Sequence, residues 1–129
     1  MNSSSVSVAK IAELLDLKNF TDEIDLKKRK ITTTDINRPA LQLTGYFEHF
    51  EESRVEIIGN VEYAYIQQMS DEEKQIRYDA FLKFDIPCVI FSRNLTPDPI
   101  FLKEAFANHV PVLGTGRSTS EFTAELIYT

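Results

Sequence analysis

A chain of 129 residues with a net charge of −6 has the length of one domain and lacks the basic excess needed to bind nucleic-acid phosphates. A hydrophobic share of 43% and a charged share of 26% fit a globular protein with its own core, and no apolar run approaches a membrane span. Cys88 is the only cysteine, which excludes an intrachain disulfide, and MNSSSVSVAK has no signal-peptide core, so the expected setting is cytoplasmic.

Ser7 is placed to cap a first helix whose Val8, Ile11, Ala12 and Leu15 share one face. Residues 18–30 read as a polar connector, with Lys27 to Lys30 as a solvated basic turn. Ile31 to Thr34 is β-branched throughout and predicts a short strand. Pro39 suits the first turn of a short helix that Gly45 ends. Arg54 to Ile58 reads as a strand closed by Gly59, and Asn60 as the cap of a helix to about Met69. Ser70 to Glu73 forms a capping-box sequence, followed by an apolar face of Ile76, Ala80, Phe81 and Phe84. Pro87-Cys88-Val89-Ile90-Phe91 is continuously apolar, as in a parallel strand buried on both faces. Thr96-Pro97 starts the next helix, with Leu102, Ala105 and Phe106 on one face. Val110 to Leu113 is a further strand. Ser118 to Glu121 opens the last helix, through Phe122, Leu126 and Ile127.

Strand and helix therefore alternate through the second half. This predicts one α/β domain over residues 1–129: a three-layer α/β/α arrangement with a mostly parallel, or mixed, sheet of about four to five strands. The crossovers are expected to be right-handed. The sequence stops just after a helix, as a domain cut from a longer chain would.

Few residues suggest chemistry. Gly114-Thr115-Gly116-Arg117-Ser118-Thr119 follows a strand and opens a helix, but a phosphate loop needs G-x-x-x-x-G-K-[ST], and position 117 is arginine. It reads as a strand-to-helix turn. His49 and His109 lack a second histidine or cysteine at ligand spacing, and Cys88 sits inside a strand. The acid pairs Asp22-Glu23 and Glu51-Glu52 and the run Asp71-Glu72-Glu73 belong to loops or a helix start, where solvation and capping account for them. Tyr63 and Tyr65 do not alternate with basic residues as a base-stacking platform would. No residue is assigned as catalytic, cofactor-binding or metal-binding. One cluster stands out: Thr34, Asp35 and Arg38 beside a strand end. They could hold a polar ligand, or Asp35 and Arg38 could brace a turn by pairing, which is the favoured reading.

The run ITTTDINRPALQLTGYF, followed by RVEIIGNVE, resembles the N-terminal domain of HPr kinase/phosphorylase, with its pattern T-x-x-D-I-x-R-P-G-L-x-L-x-G-[YF]. Thr32, Asp35, Ile36, Arg38, Pro39, Leu41, Leu43 and Gly45 match, and Ala40 replaces the usual glycine. Downstream, PCVIFSRNLTP and VPVL also fit, so the likeness runs from Val6 onward. The resemblance implies a bacterial, cytoplasmic, hexameric parent enzyme. That enzyme phosphorylates a serine of the phosphocarrier protein HPr with ATP or pyrophosphate and removes the phosphate by phosphorolysis, in carbon catabolite repression and sugar uptake. Its Walker loop and Mg2+ belong to a C-terminal domain, and no G-K-[ST] occurs here, so no catalytic residue carries over. More distantly, Thr33, Asp35 and Arg38 are similar to the T-x-D-S-R motif of Mur-ligase N-terminal domains, with Asn37 breaking the spacing. That likeness implies an alternative, a module sensing a nucleotide or sugar phosphate.

Overall fold

The computed structural model describes residues 5–129. In chain order its elements are β1 (Val6–Ser7), α1 (Val8–Leu14), β2 (Lys18–Asn19), β3 (Lys30–Ile31), β4 (Ile36–Asn37), α2 (Ala40–Leu43), β5 (Val55–Ile58), α3 (Asn60–Gln67), α4 (Asp71–Leu82), β6 (Val89–Phe91), α5 (Pro99–Ala107), β7 (Val112–Gly114) and α6 (Thr119–Ile127). Five strands form one sheet in the order β2-β7-β6-β5-β4. β4 to β7 are parallel, and β2 joins β7 antiparallel. β1 and β3 make a separate antiparallel pair, with Val6 opposite Ile31.

The sheet is mixed, mostly parallel and covered on both faces. Leu43 of α2, Ile66 of α3, Phe81 of α4 and Phe101 of α5 pack on one face with Ile58, Val89, Phe91 and Val112. Val8 and Ile11 of α1 and Phe122 and Leu126 of α6 pack on the other with Val55, Ile57, Ile90 and Leu113. The period-2 alternation of each strand divides its side chains between the two cores. All four residues of β5 are buried, Glu56 among them, because helical layers cover both faces of the sheet.

Several boundaries differ from the sequence reading. The strand expected over Ile31 to Thr34 ends at Ile31, where pairing with β1 stops. Thr33 Oγ1 then accepts the Asp35 N–H at 3.1 Å, a local turn that competes with further pairing. The connector over 18–30 contains β2, which is anchored where the buried Thr21 Oγ1 accepts the Val112 N–H at 3.0 Å. Arg29 in the basic turn is not simply solvated: it pairs with Asp85 and donates to the His109 carbonyl at 2.7 Å. Pro39 takes the N-cap position of α2, and Gly45, at φ +95°, follows the C-cap Thr44. Gly59, not Asn60, caps α3, because the Glu62 carboxylate reaches back to its N–H. Asp98 displaces Thr96 as the cap of α5: its Oδ1 accepts the Phe101 N–H at 2.8 Å, and Pro99 fills the first turn.

The buried faces also rotate. α4 buries Tyr78, Phe81 and Leu82, while Ile76 is 64% exposed. Tyr78 can enter the core because its hydroxyl donates to Asp98 Oδ2 at 2.7 Å. α5 buries Phe101, Glu104 and Ala105 and leaves Phe106 at the surface. In α6, Phe122 and Leu126 are buried and Ile127 is exposed. Ser70 Oγ caps α4 by accepting the Glu73 N–H at 3.1 Å. The two-way box forms at α6, where Ser118 and Glu121 exchange side-chain-to-backbone bonds of 3.2 and 2.9 Å. Those bonds hold the Glu121 carboxyl below its usual range.

Candidate functional site

The parallel register brings the carboxyl ends of β4, β5, β6 and β7 side by side, so Arg38, Gly59, Ser92 and Thr115 follow adjacent strands. Arg38 Nε and Nη2 donate to Glu62 Oε1 at 3.1 and 2.7 Å. The same oxygen accepts the Gly59 N–H at 2.7 Å. Glu62 is 3% exposed and the Arg38 side chain 38%, so the carboxylate is buried and the guanidinium seals it from the rim. A Cβ on Gly59 would lie 2.6 Å from Arg38 Nη2 and 2.9 Å from Thr119 Oγ1. The missing side chain is what lets Arg38 cross the end of β5. Thr119 Oγ1 is 3.2 Å from Ser92 Oγ, which donates to the Ile58 carbonyl at 3.0 Å.

Beneath α2 lies a second polar group. Asn37 Nδ2 donates to Glu56 Oε1 at 2.7 Å and to Gln42 Oε1 at 3.0 Å. Glu56 is fully buried, and its Oε2 has no hydrogen-bond partner. Burial pushes its carboxyl up to about 8, against the opposing pull of Asn37 and Arg54. Neither Glu56 nor Glu62 stands out at the motif level. Glu56 did have a signal, an acid inside the apolar run Val55-Glu56-Ile57-Ile58.

The residues singled out from sequence are spread apart. Thr34 and Asp35 are exposed ahead of β4, whereas Arg38 follows it. Arg38 pairs with Glu62, not with Asp35, so the expected brace across the turn does not form. The long arginine reaches a buried carboxylate that offers it a two-nitrogen contact, while Asp35 stays in solvent. The exposed His49 sits at φ 64°, with Nε2 3.8 Å from Glu48. His109 is exposed at φ 57°. Cys88 is buried, and burial pushes its thiol up to about 12. Tyr63 donates its hydroxyl hydrogen to the Thr96 carbonyl at 2.9 Å.

The turn over residues 114–119 is a poor fit for a nucleotide phosphate with Mg2+. Ser118 Oγ caps the helix, Thr119 Oγ1 meets Ser92, and Arg117 is held by the Leu15 carbonyl at 2.7 Å and by Glu125 at 2.9 Å. Among the described residues no group of three His, Cys, Asp or Glu side chains is placed to hold a metal ion, and no helix is long and apolar enough to cross a membrane. The arrangement at the strand ends holds one guanidinium and two hydroxyls in fixed positions.

The family model described as "HPr Serine kinase N terminus" matches residues 6–129. The chain belongs to that family. It is 42% identical over 123 residues to the HPr kinase/phosphorylase of Lachnoclostridium phytofermentans, covering 95% of this chain and 40% of that protein. It is 38% identical over 120 residues to the enzyme of the same name from Caldicellulosiruptor bescii, covering 93% and 39%. This HPr serine kinase N-terminal domain thus spans about two fifths of the length of the curated relatives it matches. Among solved structures, the CBS and DRTGG regulatory region of Clostridium perfringens pyrophosphatase, in complex with its activator diadenosine tetraphosphate, superposes with a TM-score of 0.65. That likeness has 15% sequence identity, covers 94% of this chain and 46% of the other, and is one of fold.

Proposed function

We propose that this chain is the non-catalytic N-terminal domain of a bifunctional HPr kinase/phosphorylase. The observation that carries this is the family match over residues 6–129 together with relatives of that name more than twice as long. In this reading the parent enzyme phosphorylates a serine of the phosphocarrier protein HPr with ATP or pyrophosphate and reverses the step by phosphorolysis. ATP or pyrophosphate and Mg2+ are then held by the remaining part of the parent, which is a cytoplasmic hexamer acting in carbon catabolite repression. The domain itself supplies a rigid three-layer body for assembly. The occupied hydroxyls and guanidinium of the Gly114–Thr119 turn support this division of labour.

Incubating the purified 129-residue chain with HPr, ATP and Mg2+ tests the reading. No phosphoserine is expected on HPr by mass spectrometry, while the full-length parent gives it. Phosphorylation of HPr by the 129-residue chain alone would overturn the assignment, as would a full-length parent inactive on HPr.

A further inference from the structure

β6 and β7 are neighbours, but the segments that leave them part company. The loop after β6 leads to α5 in one helical layer, and the loop after β7 leads to α6 in the other. Where adjacent parallel strands send their chains to opposite faces, a crevice opens outside their carboxyl ends, and ligands of open α/β sheets favour that place. Here it is a hollow of about 350 Å3. Residues 114–116 line it, together with Asp16, Lys18 and Phe20 and with Asn94 and Leu95.

The walls are fixed from behind. The Arg93 N–H donates to the Arg117 carbonyl at 2.8 Å and the Asn94 N–H to the Thr115 carbonyl at 2.9 Å, locking the two loops together. Arg117 Nη1 donates to the Leu15 carbonyl and so holds the chain just ahead of Asp16. Asp16, Arg93 and Asn94 all adopt positive φ, at 52°, 56° and 59°. Asp16 is the left-handed residue that ends α1, with the Leu17 N–H donating to the Ala12 carbonyl at 2.9 Å, and Arg93 and Asn94 form the turn that the Leu95 N–H closes on the Ser92 carbonyl at 3.0 Å.

The charged groups at the crevice, Asp16 and Lys18, are exposed to solvent. Among the described residues neither the Asp16 carboxylate nor the Lys18 ammonium forms an ion pair, with each other or with any other group. Lys18 Nζ rests 4.9 Å from the centroid of the Phe20 ring. The Gly116 N–H has no acceptor among the described residues. An exposed acid, an exposed base and a spare backbone donor line this space together with one aromatic and one aliphatic side chain. That set complements a compact zwitterion carrying a side chain, because each ligand charge meets its opposite.

We propose that this crevice binds a free α-amino acid, with its ammonium on Asp16, its carboxylate on Lys18 and the Gly116 N–H, and its side chain against Phe20 and Leu95. The site is independent of the role in a kinase proposed above.

Nitrogen-15 NMR titration of the 129-residue chain tests it. The probes are L-leucine, L-phenylalanine and L-glutamine, the N-acetyl and amide forms of each, and inorganic phosphate. At least one free amino acid is expected to move the amide resonances of Asp16, Lys18, Asn94 and Gly116 saturably. Its two blocked forms each bind at least about tenfold more weakly, as loss of one charge-assisted contact implies. Asp16→Asn, which tolerates the positive φ, and Lys18→Met weaken the same amino acid by about tenfold and leave the other resonances in place. The proposal is overturned if no free amino acid shifts these amides by about 20 mM, a range that covers weak millimolar sites. It is equally overturned if the blocked forms bind as well, or if phosphate alone reproduces the shifts and makes the crevice a simple anion site.

Discussion

Arg38 and Glu62, 24 residues apart, meet through two nitrogens on one carboxylate oxygen, and that oxygen also holds the Gly59 N–H. The contact joins the segment after β4 to the first turn of α3. Arg38→Ala leaves a buried carboxylate with a single donor, so a loss of about 1–3 kcal/mol is expected, below the cost of a fully buried pair because the arginine faces the rim. Arg38→Lys recovers little of it, since one ammonium cannot reproduce the two-nitrogen contact. Urea unfolding at neutral pH measures both. An Arg38→Ala midpoint indistinguishable from wild type would rule out a stabilising role for the pair.

Gly59→Ala puts a methyl group into the path of Arg38 and against the Thr119 hydroxyl. We expect destabilisation of about 1–3 kcal/mol from this overpacking. In the Arg38→Ala background the same change costs measurably less, because one of the two obstacles is gone. Strictly additive losses in the four-protein cycle would show that the arginine does not depend on the glycine.

Glu56 makes stability depend on pH. Burial pushes its folded-state carboxyl up to about 8, from an ordinary 4.5. Below about 4.5 both folded and unfolded chains hold the proton, so burial carries no ionisation cost. Between that pH and about 8 the unfolded chain releases the proton first, and stability falls as pH rises. Above 8 the loss is complete, on the order of a few kcal/mol. Glu56→Gln removes this titration. Melting temperatures from pH 5 to 9 should therefore fall for wild type relative to the variant, whatever the fixed cost of the new amide. Parallel curves would contradict the buried, protonated state.

Cys88 should be inert in the folded chain. Its thiol is buried and pushed up to about 12, so almost no thiolate forms at neutral pH. Labelling by a maleimide is expected only in denaturant, or at the rate of global unfolding. Prompt modification of the native chain would mean that the strand is open to reagent.

Tyr78 and Asp98 connect α4 to the cap of α5, where Lys74 Nζ also lies 3.6 Å from the carboxylate. Tyr78→Phe keeps the ring packed on Phe101 and removes the hydroxyl, for an expected loss of about 1–2 kcal/mol. Asp98→Ala removes the helix cap as well and costs more. Thermal melts rank the two, and the reverse order would show that the Asp98 cap adds nothing beyond its bond to the Tyr78 hydroxyl.

The central strands were legible because β6 and β7 lie in unbroken apolar runs and β5 alternates into an apolar pair closed by Gly59, and α1 and α6 because Ser7 and Ser118 mark their starts. β2 and β4 were not, since Lys18-Asn19 and Ile36-Asn37 are two residues long and owe their strand conformation to partners far along the chain. The buried face of α4 is not legible, because Ile76 looks more apolar than Tyr78, whose burial depends on a hydroxyl partner at the cap of α5. Arg38 was visible in its motif. Its partner Glu62 was not, because local spacing favoured Asp35 and only the parallel pairing of β4 with β5 brings α3 within reach.

The division of the chain between the two helical layers also sets an order of assembly. α2 to α5 cover their face with segments that follow one another, so that layer can close through short loops. The opposite layer needs α1 and α6, from the two ends of the sequence, and the tie from Arg117 to Leu15 spans 102 residues. Closing so long a loop carries an entropic cost that nearby contacts do not offset until the sheet exists. The second face is therefore expected to close last in folding, which would leave Ile57, Ile90 and Leu113 open to water and to other chains until then.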